Sequence, residues 1–192
     1  MGDDVAHLFV GLRKAAVFLS ERLGKPVEVR ASTTLDEAAL GLFESVDHRA
    51  FKEELWYSKE EIASKSRRKG FIAFTVYIIG EPVGVLYGYE LDPSTFLLDE
   101  VVALNEGKGI GKSLVRLLIQ HCSVKGYGEI SLYTEEVDEK GRRLREFYES
   151  LGFRLRDAQP EQGIEMFYSL GKPPESKDSP HPVAPFSVSS HR

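Results

Sequence analysis

From Val101 to Ser113 the chain reads Val-Val-Ala-Leu-Asn-Glu-Gly-Lys-Gly-Ile-Gly-Lys-Ser, a hydrophobic run that breaks into closely spaced glycines before an amphipathic stretch. A glycine-rich turn between a strand and a helix leaves backbone N–H groups unpaired at the positive end of the helix dipole. With no side chains in the way, a phosphate can approach them closely. The plainer role of such glycines is to permit a tight turn, and both roles stay open on this segment alone. Counting narrows the phosphate chemistry. A P-loop needs glycine at the position of Glu106, and the dinucleotide fingerprint needs one at Leu114, so neither pattern is met. His7, His48, His121, His181 and His191 show no metal-ligand spacing and read as surface or capping residues. The single cysteine, Cys122, excludes an intramolecular disulfide and any zinc site built on paired thiolates. It falls on an apolar helical face and reads as core.

The elements that must position this turn follow from the pattern around it. With 192 residues, 42% hydrophobic and 29% charged, the chain has the size and balance of one soluble globular domain, which the order of elements below makes mixed α/β. Thirty acidic residues against 25 basic ones argue against a nucleic-acid partner. No run approaches the roughly 18 apolar residues of a membrane span, so no membrane partner is expected and the cytoplasm is the expected compartment. Residues 1–24 read as a helical extension, with Val5, Leu8, Phe9, Leu12, Ala16, Leu19 and Leu23 at helical spacing. It is expected to pack on the main domain or on a second copy of the chain in a homodimer.

A domain over 25–171 follows. Val27 to Arg30 alternates as a strand, and Thr34 with Glu37 then Ser58 with Glu61 predict two capping boxes that open helices. Phe71 to Ile79 and Val83 to Leu91 predict a hairpin through Gly80-Glu81-Pro82, and Phe96 to Leu104 a further strand. After the glycine turn come a helix, a strand over Glu129 to Thr134, a helix over Glu139 to Leu151, and strands near Phe153 to Leu155 and Ile164 to Leu170. This order makes a parallel βαβ crossover plausible within a mostly antiparallel sheet. Residues 172–192 carry five of the nine prolines and read as a tail without its own core.

Glu106-Gly107-Lys108-Gly109-Ile110-Gly111 resembles the Gln/Arg-x-x-Gly-x-Gly/Ala loop of the GNAT superfamily of acyl-CoA-dependent N-acetyltransferases. Phe147-Tyr148-Glu149-Ser150-Leu151-Gly152-Phe153 is similar to that family's Tyr-x-x-x-Gly-Phe end to its last main helix. The likeness runs over about 27–170. It departs from the family at Glu106, which is acidic, at Gly141, where an asparagine is common, and in a shorter link from Leu104 to the loop.

The resemblance implies a mixed, mostly antiparallel sheet in which a central parallel pair splays at a bulge. Acetyl-CoA would be the co-substrate, its pantetheine arm lying along Val101, Val102 and Ala103 and its diphosphate in Lys108, Gly109, Ile110, Gly111, Lys112 and Ser113. Acetyl transfer would go directly to an amine acceptor, small molecule or protein, with no metal and no enzyme nucleophile. A protonated amine must first lose a proton, and Asp99 and Glu100 lie just before the coenzyme segment. Strand alternation lets only one of them face the cleft, and the family's parity favours Asp99 over Glu100. Tyr148 takes the position of a phenol aimed at the leaving sulfur. Glu44, Asp47, Glu53 and Glu54 with Phe51, Trp56 and Tyr57 would wall the acceptor, which suits a polyamine, a lysine or a protein N-terminus. A non-catalytic acyl-CoA-binding regulatory module of the same fold is the alternative.

Overall fold

The computed structural model describes residues 2–138, 140–159 and 163–171. The predicted tail lies outside them. The chain begins with α1 (Gly2–Leu23), which turns Leu8, Leu12, Ala15, Ala16, Leu19 and Leu23 into the core. Gly24, at φ 64°, ends it, and its N–H bonds back to the Ser20 carbonyl. The Ser20 hydroxyl accepts from the Val27 N–H at 3.0 Å, fixing the entry into β1 (Val27–Ser32).

Two helices follow. In α2 (Glu37–Ala50) the cap is Asp36, whose Oδ1 accepts from the Ala39 N–H at 2.8 Å, and not the expected Thr34. The Ser58 box forms as expected, with Ser58 and Glu61 each bonding the other's backbone N–H at the head of α3 (Lys59–Ser66). Between these helices Glu53–Leu55 makes one 3₁₀ turn.

Next come β2 (Ile72–Ile78), β3 (Glu81–Glu90) and β4 (Thr95–Ala103). The β2–β3 turn is two residues long, Ile79 and Gly80, both at positive φ. That is the twist a type I′ hairpin needs, and it places Glu81-Pro82 inside the strand rather than in the turn. The remaining elements are α4 (Ile110–Lys125), β5 (Glu129–Thr134), α5 (Leu144–Glu149), β6 (Arg154–Gln159) and β7 (Gly163–Ser169). Of the helix expected over Glu139 to Leu151, Glu139 lies outside the described residues and α5 takes up Leu144–Glu149. Asp138 accepts from the N–H groups of Lys140 and Arg142 and holds this stretch in a turn.

The seven strands form one sheet in the order β1-β2-β3-β4-β5-β7-β6, antiparallel except for β4 with β5. One face is covered by α1 and α4 and the other by α2 and α3. No helix among the described residues is long and apolar enough to cross a membrane.

The β3–β4 ladder contains the irregularity that matters most. Tyr87 pairs with Glu100 and Gly88 with Leu98, so Asp99 is one extra residue. A bulge of this kind bends the strand and resets its alternation. The strands approach so closely there that a Cβ on Gly88 would stand 2.2 Å from the Leu97 carbonyl oxygen. Gly88→Ala is therefore expected to destabilise the protein by about 1–3 kcal/mol or more. A chemical-denaturation midpoint checks it, and an unshifted midpoint would show that the bulge tolerates the methyl group.

Candidate active site

Strands β4 and β5 pair over only three residue pairs, Thr95 with Glu129, Phe96 with Ile130 and Leu97 with Ser131. Beyond them the strands part. From Glu100 to Ala103, β4 is paired on its β3 side only, so the backbone N–H and C=O groups of its other edge border a cleft of about 890 Å³. A free strand edge beside a gap accepts an extended chain as an added strand would. Val101, Val102 and Ala103 line this cleft.

At one end of the cleft lies the glycine turn. Gly107 and Gly109 adopt φ of 69° and 88°, a region that favours glycine, and Gly109 caps α4. The Ser113 N–H already bonds the Gly109 carbonyl at 2.9 Å. The N–H groups of Ile110, Gly111 and Lys112 precede the first intrahelical bonds and stay free for an anion. Gly109, Ile110, Gly111 and Lys112 line the cleft, whereas Lys108 and Ser113 do not. Ser113 is buried in the helix packing and Lys108 is exposed elsewhere. The acidic Glu106 is held by Arg142 Nη1 at 2.9 Å, which compensates the charge that would repel a phosphate. Gly109→Val should weaken coenzyme A binding by about ten- to a hundredfold, because it strains the backbone and obstructs the nest. Calorimetric titration of the folded variant measures this, and unchanged affinity would remove the nest from the argument.

The other end is acidic. The bulge at Asp99 overturns the expected alternation, so Asp99 and Glu100 both face α2 and α3. Leu98, Val101 and Ala103 face the α1/α4 side, while Leu97 and Val102 share the carboxylates' side. Glu100 therefore does not point away. Its Oε2 accepts from the Tyr87 hydroxyl at 2.8 Å, and the residue is buried. Burial, with the nearby charge of Asp47, pushes the Glu100 carboxyl up to about 8. Asp99 is bound to Lys65 Nζ at 2.5 Å, and Tyr89 reaches its other oxygen at 3.4 Å. Burial alone would lower the Lys65 ammonium, but Asp99 and Tyr57 outweigh it and raise it.

Of the expected acidic wall, Asp47, Phe51 and Tyr57 line the cleft, whereas Glu44, Glu53, Glu54 and Trp56 do not. The Trp56 ring instead stacks on His48, 4.0 Å between centroids. Asp47 is fully buried on α2. One of its oxygens accepts from the Tyr57 N–H at 3.0 Å, and the other has no hydrogen-bond partner. Burial raises its carboxyl as well. The sequence held a signal for it: Asp47 continues the apolar stripe of Leu40 and Phe43, a costly place for a carboxylate without a task.

Tyr148 lies on α5 between Phe147 and Phe153, with ring centroids 5.0 and 5.6 Å away, both edge-on. It lines the cleft, and its hydroxyl makes no hydrogen bond among the described residues. Burial pushes its phenol well above the ordinary tyrosine range. The cleft thus offers an anion nest at one end, carboxylates at the other, and a phenol and a free strand edge between them. Among the described residues no three His, Cys, Asp or Glu side chains gather to hold a metal.

Comparison with known proteins bears on family and fold. Residues 33–153 match the model of a family described as acetyltransferase (GNAT). A mycothiol acetyltransferase from Thermomonospora curvata is 27% identical over 128 residues, 66% of this chain and 39% of that protein. The chain thus spans about two fifths of that relative's length. Among solved structures, the Escherichia coli ribosomal-protein-S18-alanine N-acetyltransferase superposes with a TM-score of 0.62 at 17% identity, covering 79% of this chain and 99% of that one. An aminoglycoside 6'-N-acetyltransferase complexed with coenzyme A gives 0.64 at 18% identity, covering 77% and 99%. At such identities the likeness is one of fold.

Proposed function

The chain belongs to the GNAT acetyltransferase family, and on that premise we propose that it transfers an acetyl group from acetyl-CoA directly to a primary amine. The observation that carries the reading is the splay of β4 from β5 beside the glycine nest. Pantetheine would extend the sheet along Val101 to Ala103, and the diphosphate would take the N–H groups of Ile110, Gly111 and Lys112. The thioester then falls between Glu100 and Tyr148.

Glu100 accepts the proton of the ammonium, directly or through a water, and frees the nitrogen lone pair. The nitrogen attacks the thioester carbonyl, a C–N bond forms, and the C–S bond breaks. The leaving thiolate takes the proton of the Tyr148 hydroxyl, the phenolate is made good by the second proton that leaves the nitrogen as the amide forms, and Glu100 passes the first to solvent. A carboxyl near 8 suits the first task, because it ionises close to working pH yet stays basic enough to draw a proton. Asp99, already bound to Lys65, holds that lysine in place and is the less suited base. Asp47, Asp99 and Glu100 gather here beside Lys65, which pairs with Asp99; once Glu100 ionises, the surplus of carboxylate favours a cationic amine such as a polyamine, a lysine or a protein N-terminus. The cytoplasm is the compartment we propose, where thiols stay reduced and Cys122 needs no partner.

A panel of amines incubated with acetyl-CoA, with free thiol released as the signal, tests the reading. Acetylation of at least one cationic amine is expected. Coenzyme A binding without turnover on any amine would favour a non-catalytic acyl-CoA-binding module. Tight ATP binding without coenzyme A binding would overturn both.

A further inference from the structure

The family match begins at residue 33, after α1, and yet α1 reaches the cleft. Its core-facing side is fixed by fully buried Leu19, by the Ser20 hydroxyl on the Val27 N–H, and by an ion pair from Asp4 to Lys125 of α4. Flanking that side are two residues one turn apart, Phe18 and Arg22, that both line the cleft at the glycine-loop end. Arg22 Nη2 donates to the Gly107 carbonyl at 3.2 Å, and Arg22 Nε stands 3.4 Å from where a Cβ of Gly109 would be. The guanidinium therefore lies over the nest. Its bond to Gly107 uses one of five N–H donors, and the rest remain for a ligand. Lys112 and Arg116 line the same end.

Phe18 is 45% exposed, like Phe9, Val10 and Val17 on the same helix, but unlike them it lines the cleft. A basic residue in the last turn of α1 would complement the helix dipole wherever it pointed. That explains neither its position over the loop nor the aromatic ring beside it.

We propose that the last turn of α1 forms the site for the nucleotide half of the coenzyme, with Arg22 binding a nucleotide phosphate and Phe18 stacking on the adenine. The chemistry fits both halves. A guanidinium fork matches phosphate oxygens two at a time, and a base presents a flat face to an aromatic ring. This assignment rests on the coenzyme reading above. It makes α1 part of the binding site rather than an appendage.

The test compares coenzyme A with 4′-phosphopantetheine, which keeps the arm and one phosphate but lacks the nucleotide. Both are titrated calorimetrically into the full chain and into Arg22→Gln and Phe18→Ala. Each variant is expected to bind coenzyme A about tenfold or more weakly, while 4′-phosphopantetheine binds as to the unaltered chain. Both side chains are exposed, so thermal midpoints should hold. Equal losses for the two ligands would mean that Arg22 braces the loop through Gly107 or meets only the phosphate both ligands share, and either would overturn the proposal. So would unchanged coenzyme A affinity in both variants. If the unaltered chain bound neither ligand, the coenzyme reading itself would fall, an outcome distinct from a failure of α1 alone.

Discussion

Glu100→Gln is expected to lower turnover by about 10²–10⁴-fold while leaving coenzyme A affinity within about twofold. The amide keeps the size of the side chain and its bond to the Tyr87 hydroxyl but cannot take a proton. Because the Glu100 carboxyl titrates near 8, the unaltered protein should gain activity as pH rises through that value. The variant should lose that limb. With a polyamine or lysine acceptor, whose own ionisation lies near 10, the two limbs can be separated. Stability should move the opposite way. The native carboxyl is raised above its unfolded value of 4.5, so between 4.5 and about 8 the folded state holds a proton that the unfolded state releases. Stability from this group is present in full below 4.5 and is lost as pH rises through about 8. Glu100→Gln should flatten that slope. Asp99→Asn breaks the Lys65 pair and should lower activity without removing the pH limb near 8. If Asp99→Asn removes the limb and Glu100→Gln does not, the base is Asp99.

That pair of carboxylates also marks where reading the sequence stops. Local patterns announce local structure well: β5 runs from Glu129 to Thr134 as its residues imply, and the Ser58 box caps α3 in both directions. The glycine turn and the Tyr148 segment were legible because their spacing is itself the feature. A bulge belongs to two strands at once. Nothing within Leu98-Asp99-Glu100-Val101 shows that one residue is unpaired, and strict alternation sends the two carboxylates to opposite faces. The partner strand carries the hint in Gly88, whose missing side chain permits the close approach.

The same holds for the other surprises. Asp138 folds its own neighbours into a turn and so shortens α5, a competition between side chain and helix that apolar periodicity does not register. Arg142 reaches back from that turn to Glu106, a pairing across 36 residues that makes the acidic loop position tolerable. Asp47 was visible as one acid among several, but only packing separates it from Glu44 and leaves one of its oxygens without a partner.

Tyr148→Phe is expected to lower turnover by about 10²–10⁴-fold by a factor that does not change across neutral pH. The reasoning differs from that for Glu100 because burial pushes this phenol upward, so its proton stays in place throughout the working range. A group that never titrates there contributes no limb to the pH–rate profile, and its loss scales the whole profile down. Ring packing against Phe147 and Phe153 survives the change. The hydroxyl gives up no protein hydrogen bond among the described residues, so the thermal midpoint should stay level or rise. Coenzyme A affinity should also hold, since the hydroxyl acts on a thiolate that exists only as the C–S bond breaks. Turnover within about threefold of the unaltered protein would show that the thiolate leaves without this acid. A matched fall in coenzyme A affinity would instead show that the phenol binds the donor in its ground state. A drop in turnover at constant affinity, constant stability and constant pH dependence is the outcome that only a proton donor at the departing sulfur produces.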